Sequence, residues 1–270
     1  MIVRFLLAAL AAGLIAGLAM TPAQYIKIVP LILQAEAYEG GGSAAVSTHD
    51  HGAGTTEVAG HDHGAATPAG HAHANTDAAA PASAAPEAHS HDHGDGESVL
   101  GLGRLGNTVL ANLAAGGGFG LMLAAAALLL DIRFGKGKQA VGRGLLLGAA
   151  GWFAVQLAPA WGLPPELPGF PEIDLQARQT WWMITVALSA AGIWLVALRP
   201  EWIAKSLGVV LIVAPHVYGA PQPADISSAV PAFLAAEYTV ASLATTLGFW
   251  LLLGGLLGHF LSRVDEGASV

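Results

Sequence analysis

The chain has 270 residues, of which 54% are hydrophobic and only 11% charged, with a formal net charge of -8 and no cysteine. Soluble domains of this size usually carry about 25% charged residues, so a single water-soluble core does not explain the composition. Without cysteine there are no disulfides, thiolate zinc sites or cysteine nucleophiles, and a Cu(I) thiolate site is disfavoured.

The apolar residues come in blocks. Uncharged stretches cover residues 5–26, 106–130, 144–163, 179–198, 206–224 and 238–262. Each is near or above the ~18–20 residues that a helix needs to cross a ~30 Å hydrocarbon layer. The pattern predicts an all-α integral membrane protein of about six transmembrane helices. Its parts are a first helix with an outer extension (1–39), a disordered histidine-rich outer loop (40–103) and a five-helix bundle (104–270).

The first stretch follows Arg4 and ends in small residues, which also describes a secretory signal peptide. Its apolar character continues past Lys27 as Ile28-Val29-Pro30-Leu31-Ile32-Leu33, so an uncleaved helix is expected. Removal of the segment would leave five spans and the same outer loop. Gln34, Glu36 and Glu39 follow where this helix emerges.

Residues 40–103 consist mainly of Gly, Ala, Pro, Ser, Thr, His and acids, a composition that predicts disorder. Nine of the eleven histidines lie here in four clusters: His49 and His51, His61 and His63, His71 and His73, and His89, His91 and His93. Three clusters contain His-Asp-His-Gly. Alternate residues of an extended chain point the same way, so each His-x-His offers two imidazoles at chelating distance. Imidazole suits divalent Zn, Ni, Co and Cu. A loop that imposes no geometry serves capture better than discrimination. A pH-sensing loop or an inert spacer is the alternative, although four clusters of one shape argue against chance.

Within 104–270, small residues recur every four positions: Gly116 and Gly120, Gly144 and Gly148, Gly254 and Gly258, matching Ala9, Gly13 and Gly17 in the first span. Such stripes let helices approach closely in lipid. The third-to-fourth loop contains LPPELPG (163–169), with Glu166 at its centre. The fifth span carries Pro215-His216, where a helix break coincides with a polar side chain. Irregular backbone at membrane depth is tolerated only where it is buried or lines a cavity. His216 is thus the leading intramembrane metal ligand, with Glu237 at the start of the last span as its candidate partner. The plainer alternatives are solvated helix ends for Glu36, Glu39 and Glu237 and a packing histidine for His216. His259 reads as interfacial.

Six spans put Arg4, Arg133, Lys136, Lys138, Arg143, Arg199, Lys205 and Arg263 on the side of both termini, and only Lys27, Arg104 and Arg178 opposite. The positive-inside rule makes the first side cytoplasmic. Trp161, Trp181 and Trp182 then fall at outer ends and Trp202 at an inner one, as an aromatic belt would have it.

No catalytic constellation or phosphate-binding glycine loop is present, so no enzyme is expected. Four segments resemble the CbtA family of predicted bacterial cobalt transporter subunits: VPLILQAEAYE (29–39), LPPELPG (163–169), DLQARQTWW (174–182) and APHVYGAPQP (214–223). The resemblance implies cobalt uptake linked to cobalamin synthesis, with a small single-helix partner, CbtB, that carries a histidine motif. The expectation is a transport subunit of the bacterial cytoplasmic membrane whose outer loop captures ions. Carboxylates at the outer mouth and His216 would then pass them into the bundle. The substrate is a divalent transition metal, cobalt first, with nickel or zinc as alternatives. The partners are the bilayer and a CbtB-like subunit, with no nucleic acid and no organic cofactor. The rival reading is a non-transporting metal buffer or sensor.

Overall fold

The computed structural model describes residues 2–41 and 102–266, and every regular element among them is helical. In chain order these are α1 (Ile2–Lys27), α2 (Val29–Gly41), α3 (Gly103–Leu129), α4 (Lys138–Trp152), a π-helical segment (Phe153–Leu157), α5 (Ala158–Ala160), α6 (Leu175–Leu198), α7 (Trp202–Tyr218) and α8 (Ala232–Glu266). Five spans are long and apolar enough to cross a membrane: α1, α3, α4 continued through α5, α6 and α8. At 17 residues, α7 is shorter, and at 1.5 Å per residue it covers about 25 Å.

The predicted fifth span, 206–224, is displaced toward the N-terminus. Gly219 adopts φ 95°, which a side chain disfavours, and the prolines at 221 and 223 cannot continue a helix. At its other end α7 takes in Lys205, whose long stem can carry its charge back to the interface.

Four helices, α1, α3, α4 and α8, form the main block. Trp250, Leu253, Leu257 and Leu261 of α8 are almost completely buried, together with Ala9, Ala12 and Ala16 of α1. Lipid supplies no hydrophobic drive between helices, so contact distance decides their packing. The small-residue stripes meet in pairs. A Cβ on Gly13 would overlap the carbonyl oxygen of Gly116, and one on Gly144 would overlap that of Gly254. Asn112 of α3 is buried against α1, where its Nδ2 donates to Thr21 Oγ1 (3.1 Å) and Gln24 Oε1 (2.7 Å). This packing makes α1 a full member of the bundle.

Gly144→Val should therefore drive α4 off α8, because the obstructing atoms are backbone and cannot rotate away. The expected loss is about 3 kcal/mol, the upper end for overpacking, seen as a lower melting temperature of the detergent-solubilised protein. Gly142→Ala, with open space around its would-be Cβ, should melt like the parent.

A second, smaller core caps one end of the bundle. Leu31 and Ala35 of α2, Leu167, Val230 and Leu234 are buried together there, with Phe170 and Tyr238 packed against them. It sits where α8 begins, and α8 at about 52 Å is longer than a hydrocarbon layer of ~30 Å. At the opposite end the start of α1, the α3–α4 loop and the end of α8 surround one cavity, lined by Ile2, Asp131, Arg133 and Val264 among others.

The α6–α7 hairpin stands beside the main block. Gly192 and Gly208 hold its two helices together, and the hairpin meets the rest of the chain chiefly through the π-helical segment and α5. Trp161 and Trp202 are 84% and 75% exposed at opposite ends, as a belt requires. Trp181 does not belong to the belt. It is buried, because its ring turns inward against α7.

Candidate functional site

The site takes shape where the 161–174 loop leads into α6. Asp174 caps α6 by accepting the N–H of Ala177 (2.8 Å). One turn on, Arg178 Nη1 reaches back to Glu166 Oε2 at 2.6 Å and pins the proline-rich loop to the helix. Leu163 and Leu167 anchor that loop from below. Glu166 is thus a half-buried ion-pair partner, not a free carboxylate.

One turn deeper, the Trp181 ring meets His216 edge-on, with centroids 5.9 Å apart and planes at 68°. His216 lies in the last turn of α7, after Pro215, which continues the helix instead of ending it. Gly162 permits this arrangement: a Cβ there would fall 2.6 Å from Trp181 and 2.8 Å from Ala220. Three separate sequence segments thereby meet at one junction. A cleft of about 1110 Å³ opens beside it, lined along α6 by Asp174, Trp181 and Leu188 and along α7 by Pro215 and Tyr218.

The π-helical segment faces the same hairpin. Ala158 donates to Phe153 O, five residues back, just before Pro159, which has no N–H to offer Val155. Such bulges recur at functional sites because they redirect side chains. Gln156 on this segment lines a second cavity of about 450 Å³ with Arg178 and Gln179.

The other anticipated ligands are spread apart. Glu36 pairs with Arg104 at 3.2 Å, joining α2 to the first turn of α3. Of Glu39 only the helical backbone is described. Glu237 is exposed on α8 and makes no hydrogen bond or ion pair among the described residues, so it does not partner His216 there. His259 lies toward the opposite end, against Phe260. The nine histidines from His49 to His93 lie outside the described residues. Among the described residues, no three His, Asp or Glu side chains gather as a metal-binding group.

Sequence reasoning missed the roles of Trp181, Gln156 and Asp225. Pro159 inside an apolar run was the only signal for the π segment. Asp225, in the α7–α8 loop, accepts the N–H (2.9 Å) and the Oγ–H (2.8 Å) of Ser227. These bonds hold its carboxyl below the usual carboxylate range, so it stays ionised in mild acid.

No curated protein matches the chain, and no solved structure does. Residues 2–262 match the family described as "Probable cobalt transporter subunit (CbtA)", nearly the whole length and across every helix of the bundle. The chain belongs to the CbtA family of multi-helix membrane proteins.

Proposed function

We propose that this chain is the membrane-embedded subunit of a cobalt uptake system, and that its histidine-rich segment gathers ions for a passage beginning at His216. One observation carries the reading. Both attachment points of that segment, α2 and α3, are clamped by Glu36–Arg104 at the same end of the bundle as the Trp181–His216 contact and the cleft beside it. Ions held by the nine histidines would be concentrated within reach of the passage. Imidazole with oxygen donors fits a divalent transition metal, and the family directs the choice to cobalt over nickel or zinc.

Eight of the eleven basic residues lie at the end that bears both termini, so in this reading that end faces the cytoplasm of a bacterium and the histidines lie outside its inner membrane. The chain performs no catalysis in this reading. Energy and any further metal-handling group come from elsewhere, and a small single-helix CbtB-like subunit fits that part.

The deciding measurement is accumulation of Co, Ni and Zn, ion by ion, in cells with and without the chain and its partner. Intracellular cobalt should fall when the chain is absent. Loss of surface-bound metal alone, with intracellular levels unchanged, would make the protein a buffer or sensor. For orientation, a reporter active only outside the cytoplasm should work when fused near Gly70 and fail near Gly137. The reverse pattern would invert the scheme.

A further inference from the structure

Among the described residues, three buried side-chain polar atoms lack a hydrogen-bond partner: Trp181 Nε1, Ser189 Oγ and His216 Nδ1. All three belong to the α6–α7 hairpin. Trp181, Thr185 and Ser189 recur at four-residue spacing and so share one face of α6. That face is buried: Trp181 is 6% exposed, and Thr185 and Ser189 are 0% exposed. Ser189 lies eight residues beyond Trp181, roughly 12 Å further into the membrane at 1.5 Å per residue. Elsewhere the fold pairs its buried polar groups, as Asn112 shows with two acceptors between α1 and α3. Leaving three unpaired in one hairpin is costly at this depth unless something polar meets them.

Their chemistry narrows what that is. Indole Nε1–H only donates, so Trp181 cannot hold a bare cation and needs an acceptor such as water. A neutral imidazole can present Nδ1 to a metal or to a metal-bound water. Thr185 spends its proton on Trp181 O (2.8 Å), which leaves the lone pairs of its hydroxyl to accept. Ser189 can do either. Pro215, lacking an N–H, also leaves the carbonyl of Leu211 without its helical donor. This is mainly a set of acceptors plus one donor, suited to a cation that keeps part of its water shell. A cleft descends along the neighbouring face of α6 from Asp174 to Leu188, and of these groups Trp181 lines it.

We propose that Trp181, Thr185 and Ser189 on α6, facing His216 on α7, form the wall of a passage for a partly hydrated divalent transition-metal ion. The inference rests on the transport reading and extends it from one histidine to a route about halfway across the membrane.

The cysteine-free chain allows a direct test. Ser189→Cys places one thiol on the proposed wall, and Met183→Cys places one on the exposed, lipid-facing side of the same helix. Thr185→Cys serves as a second wall position should Ser189→Cys accumulate poorly. The full-length variants, in membrane vesicles, are treated with a small charged methanethiosulfonate, which reacts with thiolate and therefore needs water at the sulfur. The wall thiol should react at least about tenfold faster than the Met183→Cys thiol, and Co(II) should slow it several-fold. Equal, slow reaction at 183 and at both wall positions would show packing polar groups and overturn the passage. Fast reaction indifferent to Co(II), Ni(II) and Zn(II) would overturn it as a metal route. Protection by a metal in a protein that fails to accumulate cobalt would sink the cobalt reading and leave the passage standing.

Discussion

Replacing His216 by alanine should lower the maximal rate of cobalt uptake about tenfold or more, the scale on which metal sites respond to a lost supporting group. The drop should persist at saturating metal. A ligand inside the bundle acts on every ion that passes, so raising the external concentration cannot compensate. The reason is positional: among the described residues His216 Nδ1 is buried without a hydrogen-bond partner, its ring rests against Trp181, and a cleft opens beside that contact. Insertion and melting temperature should change little, because alanine removes an unsatisfied polar atom and keeps the helix. The measurement is initial uptake rate against cobalt concentration, with membrane-inserted protein quantified in parallel. Normal uptake at saturation would return His216 to the role of a packing histidine against Trp181.

Deleting residues 42–97 should have the opposite concentration dependence. The deletion removes nine of eleven histidines and spares every helix of the bundle, the Glu36–Arg104 pair and the cleft. A tethered chelator raises the local ion concentration without changing the rate of passage. Half-maximal uptake should therefore require about tenfold more cobalt, at an unchanged maximal rate. Acidity should mimic the deletion. Protonated imidazole cannot ligate metal, so the advantage of the intact chain should fade as external pH drops below about 6.5. The two curves should converge near pH 5. An intact chain with no advantage at scarce metal and neutral pH would leave the histidines without a capture role. Combining the deletion with His216→Ala should give both defects at once, since the two act at separate steps.

Much of the architecture was legible in the residues alone, for a physical reason peculiar to membranes. A spanning helix must satisfy its own backbone, so long uncharged runs announce their positions without reference to neighbours. The glycine stripes were equally readable as close-packing faces, and the fold brings Gly13 to Gly116 and Gly144 to Gly254. The metal-binding reading of the histidine clusters rests on composition alone, and they lie outside the described residues. What required the tertiary structure was every relation between segments. The pairing of Glu36 with Arg104 and of Glu166 with Arg178 was not legible in the residues, because which cation a carboxylate meets depends on what folding brings to it. Trp181 read as an interfacial anchor by position and is instead buried against His216, with Gly162 letting its ring pack inward. Ser189 carried no signal at all, since a lone serine in an apolar run is ordinary until its surroundings leave its hydroxyl unpaired. Sequence determines where a helix lies along the chain, and packing determines which side chains lack a partner.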